Sequence, residues 1–439
     1  MVTRTRGLIV AGRWVDNAGM STERVLLRFN GRGELSLSEG QPFLMVADTA
    51  WSGLIRSTVG DWRDYLRMRR GQGFNAVLTV LTAPWRGAPV DAWGESSFGT
   101  DGRINAAFYE RMEEKFAVAD EAGMTLLPVL VWACTASDPG QAWPEEKCVE
   151  AARYGVERMA RFRNVLWLLG GDGNYAKAPE RWVRIGRAVF GDKPGALVGM
   201  HHGGLMLPDA ALLAEPWCNF HGVQSGHGDG EQDLAWLQEV LPAWRERAMH
   251  VAVANAEPNY EHHPAYQSQM MFTGRHVRRA AWWSMLRMAS CGVGYGHNSV
   301  WNWNVVPEGA MGHDSITRVV GKLPPWRDVI DLPGARSMGV LRKFFEERAW
   351  ATLRPAQELV GAQDRAREKF VAAAEIGAEA VLYKPALAGV TLSDEAMERY
   401  RRMQWFDPAS GVYSEAQPIA RETAAEGALR DDGVLVLKR

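Results

Sequence analysis

Eight short apolar runs recur between residues 42 and 301, each separated from the next by a stretch with helical periodicity. They are PFLMVADTAW (42–51), FNAVLTVL (74–81), MTLLPVLVW (124–132), NVLWLLGGD (164–172), GALVGMHHG (195–203), WCNFHGVQSGH (217–227), MHVAVANAEP (249–258) and SCGVGYGHNSVW (290–301). Most are continuously apolar rather than alternating, as parallel strands covered on both faces must be. Between the first two, Trp62, Tyr65, Leu66 and Arg69 fall at i, i+3, i+4 and i+7, and Gly73 offers a helix stop. Phe108, Met112 and Phe116 line a second helical face that ends at Gly123. Cys148, Ala152, Val156, Met159 and Phe162 line a third, and a long amphipathic helix is expected over 269–289. Eight β-then-α units over roughly 250 residues is the size of a (β/α)8 barrel. A doubly wound open sheet has the same ingredients; the placement of polar residues, below, favours the barrel.

The chain has 439 residues, 46% of them hydrophobic, enough for one large core and a smaller second one. Residues 1–41 read as a β-hairpin, with turn signals at Asn30-Gly31 and Glu39-Gly40, that caps the bottom of the barrel. The barrel is expected over 42–360 and to close with a helix from Leu341 to Leu359. Short strands over 365–439 predict a small C-terminal antiparallel β-sandwich domain. Fifty basic residues balance 52 acidic ones, so neither nucleic acid nor a membrane surface is an expected partner. No apolar run approaches the roughly 20 residues of a membrane span. The N-terminal MVTRTRGLIVAGRW is a poor secretory signal. The expected location is the cytoplasm, or outside the cell for a form whose signal has been removed. Cys134, Cys148, Cys218 and Cys291 form no CxxC pair and read as reduced thiols. Nineteen tryptophans suit a cleft where sugar CH faces lie on indoles, and equally suit a core.

Active sites of (β/α)8 barrels lie at the C-terminal ends of the strands. Polar and aromatic residues gather at those ends here, while the run interiors are almost free of charge. The first run ends in Asp48 and Trp51, the second is followed by Trp85 and Arg86, and the third ends at Trp132. The fourth ends in Asp172 and Asn174, the fifth in His201 and His202, and the sixth carries His221, Gln224 and His227. The seventh ends in Asn255, Glu257, Asn259, Tyr260 and Glu261, and the eighth in His297, Asn298, Trp301 and Trp303.

Glycoside hydrolysis needs one carboxyl protonated to serve the leaving oxygen and a second ionised as nucleophile or base. The fourth and seventh strand ends face each other across a barrel mouth, which selects Asp172 and Glu257 as the catalytic pair. The plain alternatives are a turn aspartate and a buried ion-pair partner. Glu261 is the nearest competitor to Glu257, and Asp48 is expected to bind substrate hydroxyls or to hold Trp51. Expected substrate-binding residues are Asp48, Trp51, Trp85, Trp132, Asn174, His201, His202, His221, Tyr260, Glu261, His297, Asn298, Trp301 and Trp303. The histidines after the fifth to eighth runs keep a metal-dependent hydrolase open as a rival, although no HExxH occurs. A non-catalytic sugar-binding barrel is a third reading. No cofactor and no metal are expected, and the partner is a small-molecule glycoside or oligosaccharide.

ADTAW (47–51), WLLGGDGN (167–174), NAEPNYE (255–261) and RRAAWWSMLRMASCGVGYGHNSVWNW (278–303) resemble the apiosidase-like glycoside hydrolases, glycoside hydrolase family 140. The hairpin and the small C-terminal domain, which resembles the so-called putative collagen-binding domain of such proteins, also fit. The resemblance implies an exo-acting, retaining β-apiosidase that removes a terminal branched pentose from plant glycans or glycosides. It implies an Asp acid/base at the fourth strand and a Glu nucleophile near the seventh, which fall on Asp172 and Glu257.

Overall fold

The computed structural model describes residues 27–29, 34–37, 40–191, 197–386, 388–423 and 431–439. Strands β1 (Leu27–Phe29) and β2 (Leu35–Leu37) pair antiparallel. The expected turn residues Asn30, Gly31 and Glu39 lie outside the described residues. Leu27 and Phe29 share a cavity wall with Trp167 and Val198, the first residues of two barrel strands, so the hairpin sits at the bottom of the barrel.

The barrel strands are β3 (Met45–Thr49), β4 (Ala76–Val80), β5 (Thr125–Trp132), β6 (Trp167–Gly171), β7 (Val198–His201), β8 (Phe220–Val223), β9 (Ala252–Asn255) and β10 (Gly292–Tyr295). Each falls inside one of the eight apolar runs. Every neighbouring pair is parallel, and β10 pairs with both β9 and β3, which closes the sheet and excludes an open one. Closure demands close backbone approach. A Cβ on Gly294 would lie 2.0 Å from the Ala256 carbonyl oxygen, so β10 is glycine-rich for a steric reason.

Helices Val59–Gly71, Ala106–Glu121, Glu145–Arg158, Pro179–Phe190 and Gly274–Met288 cover the outside. The helix expected from Leu341 to Leu359 instead runs Pro333–Glu346. Pro333 takes the first helical position, where its missing N–H costs nothing. Trp350 and Leu353 belong to a separate 3-10 turn, Trp350–Thr352, and its end.

The C-terminal part is a six-stranded antiparallel sheet. Its strands are β11 (Arg354–Pro355), β12 (Ala372–Ile376), β13 (Glu379–Lys384), β15 (Arg402–Phe406), β16 (Gln417–Pro418) and β18 (Gly433–Lys438), in the order β11-β12-β13-β18-β15-β16. Strands β14 (Val390–Thr391) and β17 (Glu422–Thr423) form a separate ribbon. Period-two alternation sorts the sheet's side chains. Ala372, Ala374, Val381, Tyr383, Val434 and Val436 join the barrel's core, largely against helix Gly274–Met288. Ala373, Ala380, Leu382, Leu435 and Leu437 build a small core on the other face with Val390, Leu392 and Trp405. Among the described residues, no helix is long and apolar enough to cross a membrane.

Candidate active site

Strand β6 delivers Asp172 to the barrel mouth just past its last residue, in the left-handed region at φ 54. That conformation costs an L-residue on the order of 1 kcal/mol and is best tolerated by Asp, Asn and Gly. Strain of this kind is characteristically kept where it aims a functional side chain. The Asp172 Oδ1 accepts a hydrogen bond from Gln224 Nε2 at 2.7 Å. The same amide nitrogen donates to the His202 carbonyl at 2.9 Å, so both amide hydrogens are committed.

Glu257, just past β9, accepts from His201 Nε2 at 3.3 Å on one oxygen and from His227 Nε2 at 3.2 Å on the other. The Gln224 nitrogen lies 3.5 Å from His201 Nε2, so the side chains that hold the two carboxylates stand next to each other. Their environments push them apart. Burial, and after it the charge of Glu257, pushes the Asp172 carboxyl up to about 6, against the pull of His201 and Arg86. Burial also works against ionised Glu257, but the hydrogen bonds from His201 and His227 outweigh it and hold this carboxyl well below the usual range. A neutral carboxylic acid near a carboxylate is the arrangement that separates an acid from a nucleophile.

Three indoles wall the site. Trp51 packs edge-on to Trp132 at 5.1 Å and against His201 at 4.9 Å, and Trp85 lies 4.8 Å from Trp132. The buried Nε1 groups of Trp85 and Trp132 have no hydrogen-bond partner among the described residues. Arg86 donates to the Cys134 Sγ at 3.4 Å beside Asp172. Tyr260 donates to Thr49 Oγ1 at 3.1 Å and packs 4.5 Å from His227, which places it against the Glu257 side. Asn174 is half-buried and opens the 3-10 turn after Asp172.

Other expected site residues serve the scaffold instead. Asp48 is fully buried and binds Arg69 Nε at 2.5 Å and the Tyr65 hydroxyl at 2.6 Å, beneath the mouth rather than in it. Glu261 accepts from the Tyr295 hydroxyl at 2.8 Å and, on both oxygens, from the Gly334 N–H at 3.0 Å. It therefore anchors the N-terminus of helix Pro333–Glu346 and does not compete with Glu257. His202 and His221 face away from His201, toward the helix layer, and pair with each other at 2.9 Å. Burial keeps both neutral, with the His202 imidazole held well below its ordinary value and that of His221 at about 3. His297 caps the short helix Asn298–Trp301 through the Ser299 N–H at 3.1 Å. Trp301 donates to Asn298 Oδ1 at 3.1 Å and packs on His313 at 4.7 Å. Trp303 is 1% exposed and stacks on Trp326 at 5.0 Å, close to Trp62 and Tyr65, in the core.

Two residues in direct contact with the carboxylates, Gln224 and His227, fall outside the expected set. Both lie in the tail of the sixth run, one and four residues past β8. The signal available was position: every polar residue leaving a barrel strand on the inward register is a candidate. Among the described residues, no three His, Cys, Asp or Glu side chains converge as a metal-holding group.

Residues 30–352 match the model of the apiosidase-like catalytic domain. The chain belongs to that family. The apiosidase-like barrel is a glycoside hydrolase, and its architecture recurs in solved structures. One described as a glycoside hydrolase is 19% identical, over 94% of this chain and 96% of its own, with a TM-score of 0.76. A glycoside hydrolase family 5 protein from Bacteroides vulgatus ATCC 8482 is 18% identical, over 95% of this chain and 93% of its own, with a TM-score of 0.79. At such identity the likeness is one of fold. No curated protein has a matching sequence.

Proposed function

We propose that this apiosidase-like hydrolase releases a terminal apiose from small plant glycosides or glycans, with retention, using Asp172 as acid/base and Glu257 as nucleophile. The observation that carries the reading is a pair of carboxyls just past β6 and β9, Asp172 held by Gln224 and Glu257 held by His201 and His227; burial pushes Asp172 up while the two imidazoles hold Glu257 below the usual carboxylate range. Protonated Asp172 donates its proton to the glycosidic oxygen as the bond to the anomeric carbon breaks. Ionised Glu257 attacks that carbon and forms a glycosyl ester. Asp172, now a carboxylate, takes a proton from water, which attacks the same carbon and frees Glu257. His201 and His227 hold Glu257 in place for attack. The walls of Trp51, Trp85 and Trp132 suit a single terminal sugar.

The test is release of apiose from an apiosylated flavonoid glycoside by wild type, Asp172→Asn and Glu257→Gln. Each variant is expected to lose at least about 1,000-fold in rate, about 4 kcal/mol of transition-state stabilisation. Proton NMR of the first-formed sugar should show the anomer of the substrate. Release of a different pentose by wild type would overturn the sugar assignment, and variants of near-wild-type rate would overturn the catalytic pair. Sugar binding with no turnover of any glycoside would leave a binding protein.

A further inference from the structure

Tyr266 is the most exposed aromatic side chain among the described residues outside the core, at 60%, yet its place is fixed. Its N–H donates to the His227 carbonyl at 3.0 Å. The loop that carries it is closed on itself by Ala265 N–H to Met270 O and His262 N–H to Phe272 O, both 2.8 Å. Gln269 Nε2 binds the carbonyls of Ala265 and Tyr266 at 3.1 Å each. A loop with this many internal bonds holds its tip without help from a ligand.

A ladder of rings leads from the nucleophile to this tip. His227 donates to Glu257 at 3.2 Å and stacks on His263 with ring centres 4.0 Å apart. Tyr266 meets both imidazoles edge-on at 5.7 Å. Its hydroxyl has no hydrogen-bond partner among the described residues, and Met270 and Met271 follow in the same loop at 44% and 37% exposure. The indoles Trp51, Trp85 and Trp132, all below 5% exposure, line the closed end of the site. An open aromatic ring beside that closed end meets whatever is attached to the buried sugar.

We propose that Tyr266 is the platform on which the departing group of the substrate stacks, so that the enzyme selects glycosides whose leaving group presents a flat apolar ring. The inference rests on the two-carboxylate reading above. Ring-on-ring contact is worth enough to matter, about tenfold in an equilibrium or rate. The phenol hydroxyl contributes nothing to it, so phenylalanine serves as well. Because chemistry at the anomeric carbon is untouched, the effect depends on the leaving group and not on the sugar.

The experiment compares benzyl and methyl glycosides of apiose, with arabinofuranose and xylose in parallel, in wild type, Tyr266→Ala and Tyr266→Phe. Benzyl and methyl alcohols are similarly poor leaving groups, so the pair isolates stacking. Tyr266→Ala is expected to lose about tenfold in kcat/KM on the benzyl glycoside and less than about twofold on the methyl one, with Tyr266→Phe close to wild type on both. Equal losses on both glycosides would mean that Tyr266 only steadies His227, and no loss on either would mean that it touches nothing; both overturn the platform. Which sugar is released bears on the function and leaves the benzyl-to-methyl comparison intact. Saturation-transfer NMR of the benzyl glycoside on Glu257→Gln, with and without Tyr266→Ala, needs binding and no turnover. Transfer to the benzyl ring that survives the loss of Tyr266 would also overturn the proposal.

Discussion

Replacing Gln224 by Met removes the one side-chain amide that holds Asp172 while keeping its length and volume. The amide donates to Asp172 Oδ1 at 2.7 Å, and its second hydrogen is fixed on the His202 carbonyl. A hydrogen bond to a charged acceptor is worth about 1.5–3 kcal/mol, and it favours the carboxylate over the acid. At 1.36 kcal/mol per pKa unit, its loss raises the Asp172 carboxyl further above its ordinary value, by about one to two units. The general acid must be protonated in the free enzyme, so kcat/KM falls as pH rises through that value. The alkaline limb of the profile should therefore move up by about one to two pH units in Gln224→Met, while its plateau drops because Asp172 is less well aimed. The assay is kcat/KM from about pH 4 to pH 9 on a benzyl glycoside, whose poor leaving group keeps proton donation in the rate. An alkaline limb that stays put in a folded variant would refute the claim that the Gln224 amide favours the Asp172 carboxylate.

Three further outcomes follow from the same structure. Burial raises the Asp172 carboxyl above its ordinary 3.8, so the folded state loses stability as pH rises from about 4 to about 6; Asp172→Asn should be more stable than wild type at pH 7, by on the order of 3 kcal/mol, with the gap closing below about pH 4. Glu261→Ala leaves the Tyr295 hydroxyl and the Gly334 N–H without their acceptor and should cost about 2–4 kcal/mol in urea unfolding, while the folded fraction keeps its kcat. Exhaustive chelation should leave turnover unchanged, because His201 and His227 already spend Nε2 on Glu257, and His202 and His221 are paired; loss of activity restored by a divalent metal would contradict this.

The eight strands were legible because a strand buried on both faces has to be apolar throughout, and a chain rarely offers eight such runs for another reason. The polar ends of those runs then located the mouth. What the sequence does not carry is the sense in which each end residue points. His201 and His202 are neighbours of the same type, yet one donates to Glu257 and the other pairs with His221 in the helix layer. A one-residue step reverses the face. The same ambiguity made Asp48 look like a ligand for sugar, although Arg69, one face of the following helix, turns back to claim it. Glu261 and Glu257 lie four residues apart in one loop, and only the helix starting at Pro333, distant in sequence, tells them apart. Gln224 and His227 were visible as polar residues but carried no chemical signature until their partners came within reach.

The C-terminal sheet also bears on where this protein can be divided. Helix Gly274–Met288 lies between it and the barrel, and Trp282 stacks on Tyr383 with the rings 5.9 Å apart and 4° from parallel. Arg278 of that helix grips Asp432 through two bonds of 2.8 and 2.7 Å, and Tyr383 adds a third at 3.0 Å. The catalytic family match stops at residue 352, before any of these partners. Chain ended there would carry an intact active-site alphabet yet strand the Arg278 guanidinium and lay a tryptophan open to water, on the helix that feeds β10 and so completes the ring of strands. The stretch that matches the catalytic family and the stretch needed to satisfy the buried groups of helix Gly274–Met288 are, in this protein, different lengths of polypeptide.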